Sequence, residues 1–455
     1  MTNQSIPTVI SDLAEAVQYL IDNFAIVTIG GEVCFSPKSD IEEMRGDEFH
    51  NRPVSLYSQS NTKLLMRRAL SKQGVGARDA DSAMAIFLVD QKTVVYSNIG
   101  FYPPGSNIPI NTLNLYRPPR VCGQPGTESQ TITKFIFEVI CDRSNVLYRY
   151  LMQWLAHAIK KPFQKPGVMI IFIGEQGVGK GTIFDLILRI WGSAAWRTSS
   201  ISHVVGRFNA ALEGAQIVQL DEALFEGDKS SQDAMKSLIT EPMISIEQKN
   251  QPIRQTHSFH RFMAATNHSV FSRIEKSDRR HAYFRLSSRY KGNGKYFAKL
   301  REKIEDDIEV AKFVNQLYET DITDFVPGVA PKSRLRDEQV VDSLEGFEAF
   351  WYQCLLDSFN EISKLYEVSS EFRWNESFGG FVSANALRLA YNNWLTGHRR
   401  YKHLNYRDIQ LHIFKYVGEC RGRGKTRGYN LPGLEQLRKK FEVALELNKS
   451  LDWCD

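Results

Sequence analysis

Hydrophobic and polar positions alternate between helical and extended spacings along the chain, and the first third carries both. Apolar residues recur every three to four positions in ISDLAEAVQYLIDNFA, whereas they are contiguous in AMAIFLV. The elements predicted here are a helix at 10–25, a strand pair around Gly30 and Gly31 at 25–35, a helix at 60–75, and two strands at 83–98. The Pro- and Asn-rich segment 103–119 predicts an ordered loop or linker.

The middle of the chain alternates predicted helices and strands. Every position of VMIIFI at 168–173 is apolar, which is typical of a central strand buried on both faces. In order, the predicted elements are a helix at 130–159, a strand at 168–173, a helix at 181–191, a strand at 215–220, a helix at 230–240, a hairpin at 243–258 and a strand at 261–266. This order predicts an α/β core with a mainly parallel central sheet.

The last third predicts helices again. Residues 295–320 have helical spacing, 325–342 predict a linker, and the chain beyond is helix-rich, aromatic and basic. Two helices are predicted there, one at 381–394 with a cap at Ser383 and one at 406–416. We therefore expect a small, separate C-terminal domain.

Composition narrows the class of protein. Hydrophobic residues make up 42% and charged residues 24% of the 455 residues, which predicts a folded, soluble protein. The length predicts about three domains. The six cysteines form no CxxC pair, and no apolar run is long enough to span a bilayer. Because the N-terminus also lacks a basic and apolar leader, the sequence predicts a cytoplasmic protein of a bacterial host cell, with reduced thiols and no membrane partner.

Charge is distributed unevenly along the chain. The net charge is +5, from 57 basic and 52 acidic residues. Residues 1–50 hold two basic and nine acidic residues, whereas residues 391–430 hold nine basic and two acidic ones. We therefore expect an acidic lobe at the N-terminus and a basic patch near the C-terminus.

A glycine-rich turn joins the apolar strand at 168–173 to the helix at 181–191. Its glycines let backbone N–H groups surround an anion, the helix N-terminus adds its dipole, and Lys180 supplies a charge for the β- and γ-phosphates. The predicted ATP-binding residues are Gly174, Glu175, Gln176, Gly177, Val178, Gly179, Lys180, Gly181 and Thr182. The sequence therefore predicts a phosphate-binding loop, in which Lys180 is also catalytic.

The loop departs from the usual pattern directly after its lysine. Where a serine or threonine hydroxyl ordinarily binds magnesium, this chain has Gly181, and the hydroxyl comes one residue later, on Thr182. Thr182 is a candidate Mg²⁺ ligand, with a contact to the α-phosphate as the alternative. The Gly-Lys-Gly-Thr string also occurs in nucleoside monophosphate kinases, so it does not settle the family.

A second predicted strand ends in paired acids, Asp221 and Glu222. In a P-loop hydrolase, Asp221 would hold Mg²⁺ and Glu222 would orient and deprotonate the attacking water. A glutamate beside the aspartate favours water as the nucleophile, and hence hydrolysis over phosphate transfer to a second nucleotide.

Polar residues after the next strand complete the candidate site. Asn267 follows RFMAAT and fits the asparagine that senses the γ-phosphate in ATPases of the AAA+ kind. Arg279 and Arg280 come next, and one of them is a candidate arginine finger that reaches a neighbouring subunit's site. A turn at a strand end and a solvated charge run are the structural alternatives.

Two segments are candidates for nucleic-acid contact. Lys249 and Asn250 lie at the turn of the predicted hairpin, where a cation would grip a DNA backbone, unless the hairpin is merely exposed. RGRGKTRGY at 421–429 resembles the basic wing of a winged helix-turn-helix, with a solvated basic loop as the alternative. Its predicted DNA contacts are Arg421, Arg423, Lys425 and Arg427.

The order of these parts resembles a superfamily 3 helicase of the AAA+ class. More narrowly, it resembles the helicase modules of phage, prophage and satellite primase-helicases, which are related to the poxvirus primase-helicase. The matching strings are GEQGVGKGT at 174–182, GRFNAALEGAQIVQLDEA at 206–223, MKSLITEPMISIEQK at 235–249, RFMAATN at 261–267 and SDRR at 277–280. The resemblance covers 130–290 well and the flanks loosely.

The resemblance implies a homo-oligomeric ring, usually a hexamer, with ATP and Mg²⁺ between subunits. It implies translocation on single-stranded or forked DNA for replication of a mobile element, with a replication initiator or primase as a possible partner. It also implies that Lys249 moves with the nucleotide state and that the helix at 130–159 belongs to a collar. Residues 1–125 lack the acid cluster of a primase-polymerase domain, so we predict no primase activity for them.

On this basis five regions are expected. They are an N-terminal α+β lobe at 1–125, a helical collar at 126–165, an AAA+ ATPase domain at 166–325, a linker at 326–345, and a basic, winged-helix-like DNA-binding domain at 346–455. Two alternatives stay open: a DNA-binding AAA+ switch or antiviral machine without unwinding activity, and a nucleotide kinase.

Overall fold

The computed structural model describes residues 10, 12–45, 54–123, 128–222, 229–249, 253–267, 279–360, 372–398, 401–422, 427–447, 451 and 453. The chain divides into two compact units. The first is built from Met1–His268 and Arg279–Pro331, and the second mainly from Lys332–Asp455. The division falls within the segment predicted as a linker. Among the described residues, no helix is both long and apolar enough to cross a membrane.

The N-terminal part of the first unit mixes helices with short strands. Its elements are α1 (Leu13–Asn23), β1 (Phe24–Ile29), β2 (Glu32–Pro37), α2 (Lys38–Arg45), α3 (Gln59–Lys72), α4 (Ala77–Phe87), β3 (Val95–Tyr96), β4 (Asn98–Gly100) and β5 (Thr112–Asn114). β1 pairs antiparallel with β2 and parallel with β3. The helix predicted at 10–25, the strand pair at 25–35 and the helix at 60–75 are confirmed.

The first of the two strands predicted at 83–98 is wrong. This stretch belongs instead to the end of α4, whose buried Ala80, Ala83, Met84 and Phe87 follow helical spacing. A short apolar run does not distinguish a strand from a buried helix, because periodicity is lost when all its positions are apolar. The second predicted strand survives only as the two residues of β3.

A five-stranded parallel sheet forms the centre of the first unit. Its strands are β6 (Met169–Ile173), β7 (Ala195–Thr198), β8 (Ile217–Asp221), β11 (Arg261–Thr266) and β12 (His281–Arg285), in the order β12-β6-β11-β8-β7. Every residue of β6 and β11 is buried, as expected for strands covered on both faces. The predicted α/β core with a parallel sheet is therefore confirmed.

Helices and one antiparallel hairpin surround this sheet. The helices are α5 (Gln130–Phe135), α6 (Asn145–Lys160), α7 (Lys180–Trp191), α8 (Ser202–Val205), α9 (Lys229–Thr240), α10 (Gly294–Glu305) and α11 (Asp307–Glu319). The hairpin pairs β9 (Met243–Ile246) with β10 (Arg254–His257), as predicted. One hydrophobic core joins α5, α6, α7, α10 and α11 to the sheet.

The single helix predicted at 130–159 is interrupted. A π-helical turn at Ile136–Ile140 follows α5, and Asp142 and Arg143 adopt φ values of 43° and 61° before α6 begins. The Ser144 hydroxyl then caps α6. Neither positive-φ residue is a glycine, so the sequence carries no ordinary signal of the break.

The second unit combines helices with a three-stranded antiparallel sheet. Its elements are α12 (Arg334–Asp342), α13 (Gly346–Leu356), β13 (Phe372–Asn375), β14 (Gly379–Ser383), α14 (Ala384–Trp394), α15 (Tyr406–Val417), β15 (Gly428–Leu431) and α16 (Leu434–Ala444). β14 pairs with both β13 and β15. The amides of Arg421 and Gly428 donate to each other's carbonyls at 2.8 Å, which closes the basic loop at its base.

Two expectations for this region need correction. The segment 325–342 is only partly a linker, because Leu335 and Val340 are buried on α12. The helix predicted at 381–394 begins at Ala384, since the preceding residues belong to β14. The predicted cap at Ser383 is confirmed, because its hydroxyl accepts a hydrogen bond of 2.9 Å from the Ala386 amide.

A series of hydrogen bonds between largely buried polar groups lies where the strands of the central sheet begin. Lys165 Nζ donates to Ser258 Oγ at 2.9 Å, Ser258 Oγ lies 2.9 Å from His260 Nδ1, and His260 Nε2 lies 2.7 Å from Leu212 O. The contact with a carbonyl requires the His260 proton on Nε2, so Nδ1 accepts from the serine hydroxyl. Burial lowers the pKa of His260 to about 4.

His260 makes the fold sensitive to acid. Its pKa is about 4 in the folded chain against an ordinary value of 6.5, so the unfolded chain binds more protons between these values. Stability therefore falls as pH drops through that window, by about 2 kcal/mol between about pH 7 and pH 5. His260→Gln keeps a donor for Leu212 O and should remove this part of the pH dependence in urea unfolding.

The matched control for this prediction is His203→Gln, because His203 is exposed. We expect the control to unfold with the wild-type pH dependence. If His260→Gln also keeps the full wild-type loss of stability on acidification, His260 is not the buried neutral group inferred from its hydrogen bonds.

Candidate functional site

A cleft opens where the central strands of the parallel sheet end. Parallel strands bring their carboxyl ends to a common edge, and the residues that follow β6, β8 and β11 meet there. The cleft has a volume of about 510 Å³. It is lined by Gln176, Gly177, Gly179, Lys180, Gly181, Thr182, Asp185, Arg197, Asp221, Glu222, Asn267, Gly292, Gly294, Phe297 and Arg301.

The predicted phosphate-binding loop forms one wall of the cleft. Gly177 and Gly179 have φ values of 82° and 112°, which residues with side chains rarely adopt. A Cβ atom on Gly179 would also lie 3.1 Å from the Phe135 ring and 3.2 Å from the Phe297 ring. α7 begins at the next residue without a side-chain cap, so its first N–H groups are available to an anion.

Three predicted loop residues do not line the cleft. Val178 is buried, and a Cβ atom on Gly174 would lie 3.0 Å from its Cγ2 atom. The Glu175 carboxylate pairs instead with Lys291. These side chains therefore face away from the cleft. The backbone carbonyls of Gly174 and Glu175 accept hydrogen bonds from Lys180.

Lys180 lies at the centre of the cleft and is only 9% exposed. Its Nζ atom donates to Gly174 O at 2.5 Å, to Glu175 O at 2.7 Å and to Asn267 Oδ1 at 2.6 Å. Burial lowers the pKa of Lys180, while the charges of Asp221 and Glu222 act in the opposite direction. The loop cation and the asparagine after β11 are thus joined directly.

Glu222 holds a strained backbone conformation at the end of β8. Its φ is 57°, and its amide donates to Ala265 O at 2.9 Å. Its carboxylate accepts a hydrogen bond of 3.4 Å from Asn267 Nδ2. Positive φ in a residue with a side chain costs about 1–3 kcal/mol and concentrates at functional sites. Lys180, Asn267 and Glu222 therefore form one hydrogen-bonded series across the cleft.

Arg197 and Asp185 also line the cleft, although no sequence motif predicts them. Arg197 Nε donates to Asp221 Oδ2 at 3.0 Å, its Nη2 donates to the same oxygen, and its Nη1 donates to Asp185 Oδ1 at 3.0 Å. Arg197 reaches Asp221 because β7 pairs with β8 at the end of the sheet. No motif marks Arg197, since only the strand order brings it to the cleft. Asp185 lies on α7, just beyond the loop, and Arg301 lies on α10, and no motif marks either of them.

The donors in the cleft suit Mg²⁺. Asp221, Asp185 and the Thr182 hydroxyl are hard oxygen ligands at one wall of the cleft. Among the residues that the structure describes, no group of three or more His, Cys, Asp or Glu could hold a metal ion. Mg²⁺ commonly binds through one or two carboxylates together with substrate phosphates, so this donor set fits a metal that arrives with a nucleotide.

The two candidate finger arginines lie away from the cleft. Arg279 and Arg280 immediately precede β12, which pairs with β6 in parallel from His281 and Met169 onward. They therefore lie at the amino edge of the sheet, opposite the edge that forms the cleft. The structure does not bring them together with Lys180 of the same chain.

The hairpin that carries Lys249 is fixed at its base. Arg254 on β10 forms a buried ion pair with Glu213, in which Nε donates to Oε1 at 2.9 Å. Asn209 Nδ2 donates to Ser245 O at 2.9 Å on the other strand. Lys249 itself is exposed, and Asn250 lies outside the described residues.

The basic loop of the second unit is described only at its ends. Arg421 and Arg427 are exposed, and Arg427 Nη2 donates to Gln410 Oε1 at 3.4 Å. Arg423 and Lys425 lie outside the described residues. Their contact with DNA stays a prediction.

The chain resembles known proteins both in sequence and in fold. A family model described as a family of unknown function (DUF5906) matches residues 172–280. The DNA primase-polymerase of Nitratiruptor phage NrS-1 is 26% identical over 271 residues, which is 54% of this chain but only 37% of that protein. The match therefore spans little more than a third of the relative's length.

Solved structures of the NrS-1 C-terminal region share this fold. An apo structure of that region has a TM-score of 0.64 at 18% identity, covering 92% of this chain and 98% of the other. An A-form apo structure has a TM-score of 0.62 at 17% identity, covering 93% and 100%. The chain is thus similar in sequence to part of a phage replication protein and in fold to the C-terminal region of NrS-1.

Proposed function

We propose that this chain is an ATP-hydrolysing, ring-forming AAA+ motor of the superfamily 3 type that unwinds DNA during replication of a phage or related element. The observation that carries the proposal is the convergence of Lys180, Asp221, Glu222 and Asn267 in one cleft at the carboxyl edge of a parallel sheet. An anion-binding helix terminus, a metal-binding carboxylate and a second carboxylate for water together suit cleavage of a phosphoanhydride bond.

Each residue has a distinct role in this proposal. Lys180 binds the β- and γ-phosphates and neutralises charge that develops on them. Asp221 and Thr182 would hold Mg²⁺, which when bound supplies charge neutralisation of the phosphates. Glu222 orients the attacking water and takes its proton, and Asn267 holds Glu222 while reporting on the γ-phosphate.

Assembly as a ring explains the residues that lie outside the cleft. Arg279 and Arg280 lie at the opposite edge of the sheet, where a finger residue would serve a neighbouring subunit's cleft rather than its own. Lys249 is exposed on a hairpin whose base is fixed, which suits a contact with the DNA backbone. A hexamer is the ring that we propose.

The similarity to the NrS-1 protein supports a role in phage DNA replication. Primase-polymerase activity is part of that relative's name, but the solved regions that resemble this chain are its C-terminal part. We therefore assign this chain a DNA-dependent ATPase role and no primer synthesis. A replication initiator or primase is a reasonable partner for such a motor.

Strand displacement on a forked DNA duplex tests the proposal. We expect wild-type protein with ATP and Mg²⁺ to separate the strands, and Lys249→Ala to lose at least about tenfold in rate because a phosphate contact is gone. Lys92→Ala, which changes an exposed lysine between α4 and β3, is the matched control and should displace strands normally. Hydrolysis of ATP without strand separation would instead support a DNA-binding switch, and phosphate transfer to a nucleoside monophosphate would support a kinase.

A further inference from the structure

We propose that Arg197 is a positioning residue that sets how strongly nucleotide binding in the cleft depends on Mg²⁺. It does so by holding one oxygen of Asp221 and by offsetting the charge of the carboxylates around it. The inference rests on the proposed function, since it concerns the same cleft, but nothing in the recognised motifs assigns a role to Arg197.

The contacts of Arg197 hold its guanidinium group on three sides. Nε and Nη2 donate to Asp221 Oδ2, and Nη1 donates to Asp185 Oδ1. The guanidinium carbon lies 5.4 Å from the centre of the Phe184 ring, within the range of a cation–π contact. A planar group with this many fixed partners is pre-organised, which a lysine at the same place would not be.

Arg197 also lies beside the position at which the loop departs from the usual pattern. A Cβ atom on Gly181 would lie 3.7 Å from Arg197 Nη2, which is an ordinary van der Waals distance, so the guanidinium borders this position without excluding a side chain there. Arg197 thus brings a fixed cation to Asp221 next to the position where the usual loop carries its metal-binding hydroxyl.

The two carboxylate oxygens of Asp221 differ in their hydrogen bonds. Both bonds from Arg197 go to Oδ2, and within the described part of the chain Oδ1 accepts no hydrogen bond. Oδ1 is thus the oxygen that can face a metal. Arg197, Asp185 and Asp221 together carry one net negative charge, so Arg197 weakens the attraction for a cation while leaving a place for it.

Variants that raise or lower the negative charge around Arg197 should change the Mg²⁺ dependence of ATP binding in opposite directions. Arg197→Gln raises the local charge to two negatives, so ATP should bind more weakly without Mg²⁺, and the gain in affinity on adding Mg²⁺ should grow by about tenfold. Asp185→Asn brings the local charge to zero and should shrink that gain. Arg197→Lys keeps the charge and should keep the gain near its wild-type value. ATP hydrolysis should be slower, because a lysine cannot replace the forked hydrogen bonds of the guanidinium group.

The experiment measures the dissociation constant of a fluorescent ATP analogue in Mg²⁺ and in EDTA, with the urea midpoint of each variant recorded beside it. Arg189→Gln is the control, because Arg189 lies on α7 and pairs with Asp307. The ratio of interest is the dissociation constant in EDTA divided by that in Mg²⁺. We expect this ratio to rise in Arg197→Gln, to fall in Asp185→Asn and to stay unchanged in the control. A purely structural role would change both constants equally and leave the ratio alone.

The outcomes separate this inference from the proposed function. If wild type binds the analogue and Lys180→Ala does not, the nucleotide site stands. The role of Arg197 is nevertheless overturned if the ratio is unchanged in both charge variants, or moves in the same direction in both. If Arg197→Gln does not fold, Arg197→Met, which also removes the charge, is measured in its place, and an unchanged ratio there overturns the role. If wild type binds no nucleotide, the proposed function and this inference both fail.

Discussion

Replacing Lys180 with alanine should lower the proposed ATP hydrolysis by at least about a hundredfold, the size of effect seen when one donor to developing charge is removed. The ammonium group is nearly buried and is bonded to two loop carbonyls and Asn267, so it stands where phosphates would meet the loop. Its loss removes both a charge for the phosphates and the link to Asn267. Steady-state hydrolysis in saturating Mg-ATP measures the effect.

Lys291→Ala is the matched control for this substitution. Lys291 also contacts the loop, but it pairs with the Glu175 carboxylate, and both side chains are about half exposed or more. An exposed pair contributes about 0–1 kcal/mol, so hydrolysis should stay within about fivefold of wild type. If both variants lose activity alike, or if Lys180→Ala hydrolyses ATP normally, Lys180 does not have the role proposed.

Glu213→Gln should lower the free energy of unfolding by about 3–5 kcal/mol, the cost of leaving one partner of a buried ion pair uncompensated. The side chains of Glu213 and Arg254 are 6% and 9% exposed, and the glutamine keeps the shape of the side chain while removing its charge. The change therefore isolates the buried charge on Arg254. Urea unfolding followed by circular dichroism measures the loss.

Arg207→Gln provides the comparison, because its partner Glu247 lies on the same hairpin. Arg207 pairs with Glu247, but its side chain is 76% exposed, so its loss should cost less than about 1 kcal/mol. Equal effects of the two substitutions would show that burial does not set the strength of these pairs. Because Arg254 lies on β10, Glu213→Gln should also weaken DNA binding through the hairpin before the chain unfolds globally.

Local signals made the centre of the site predictable from sequence. β6 is apolar at every position, the glycines of the loop follow it directly, and Asp221, Glu222 and Asn267 each follow a recognisable strand. Parallel pairing then requires the ends of neighbouring strands to meet at one edge. Motif order and strand chemistry together therefore placed these residues in one cleft.

Long-range pairing explains what the sequence did not reveal. Arg197 reaches Asp221 only because β7 is the neighbour of β8, and no local pattern encodes that order. The break before α6 depends on positive φ at Asp142 and Arg143, which ordinarily favours glycine. The apolar run in α4 resembles a strand in sequence, because the exposed side of this helix also carries apolar residues such as Ile86.

The rate of ATP hydrolysis with and without single-stranded DNA, with assembly size recorded on the same samples, tests the motor most directly. We expect DNA to stimulate wild type, Lys180→Ala to be inactive, and Lys249→Ala to assemble and hydrolyse ATP but lose the stimulation. A monomeric protein whose hydrolysis does not respond to DNA would contradict a ring motor that acts on DNA.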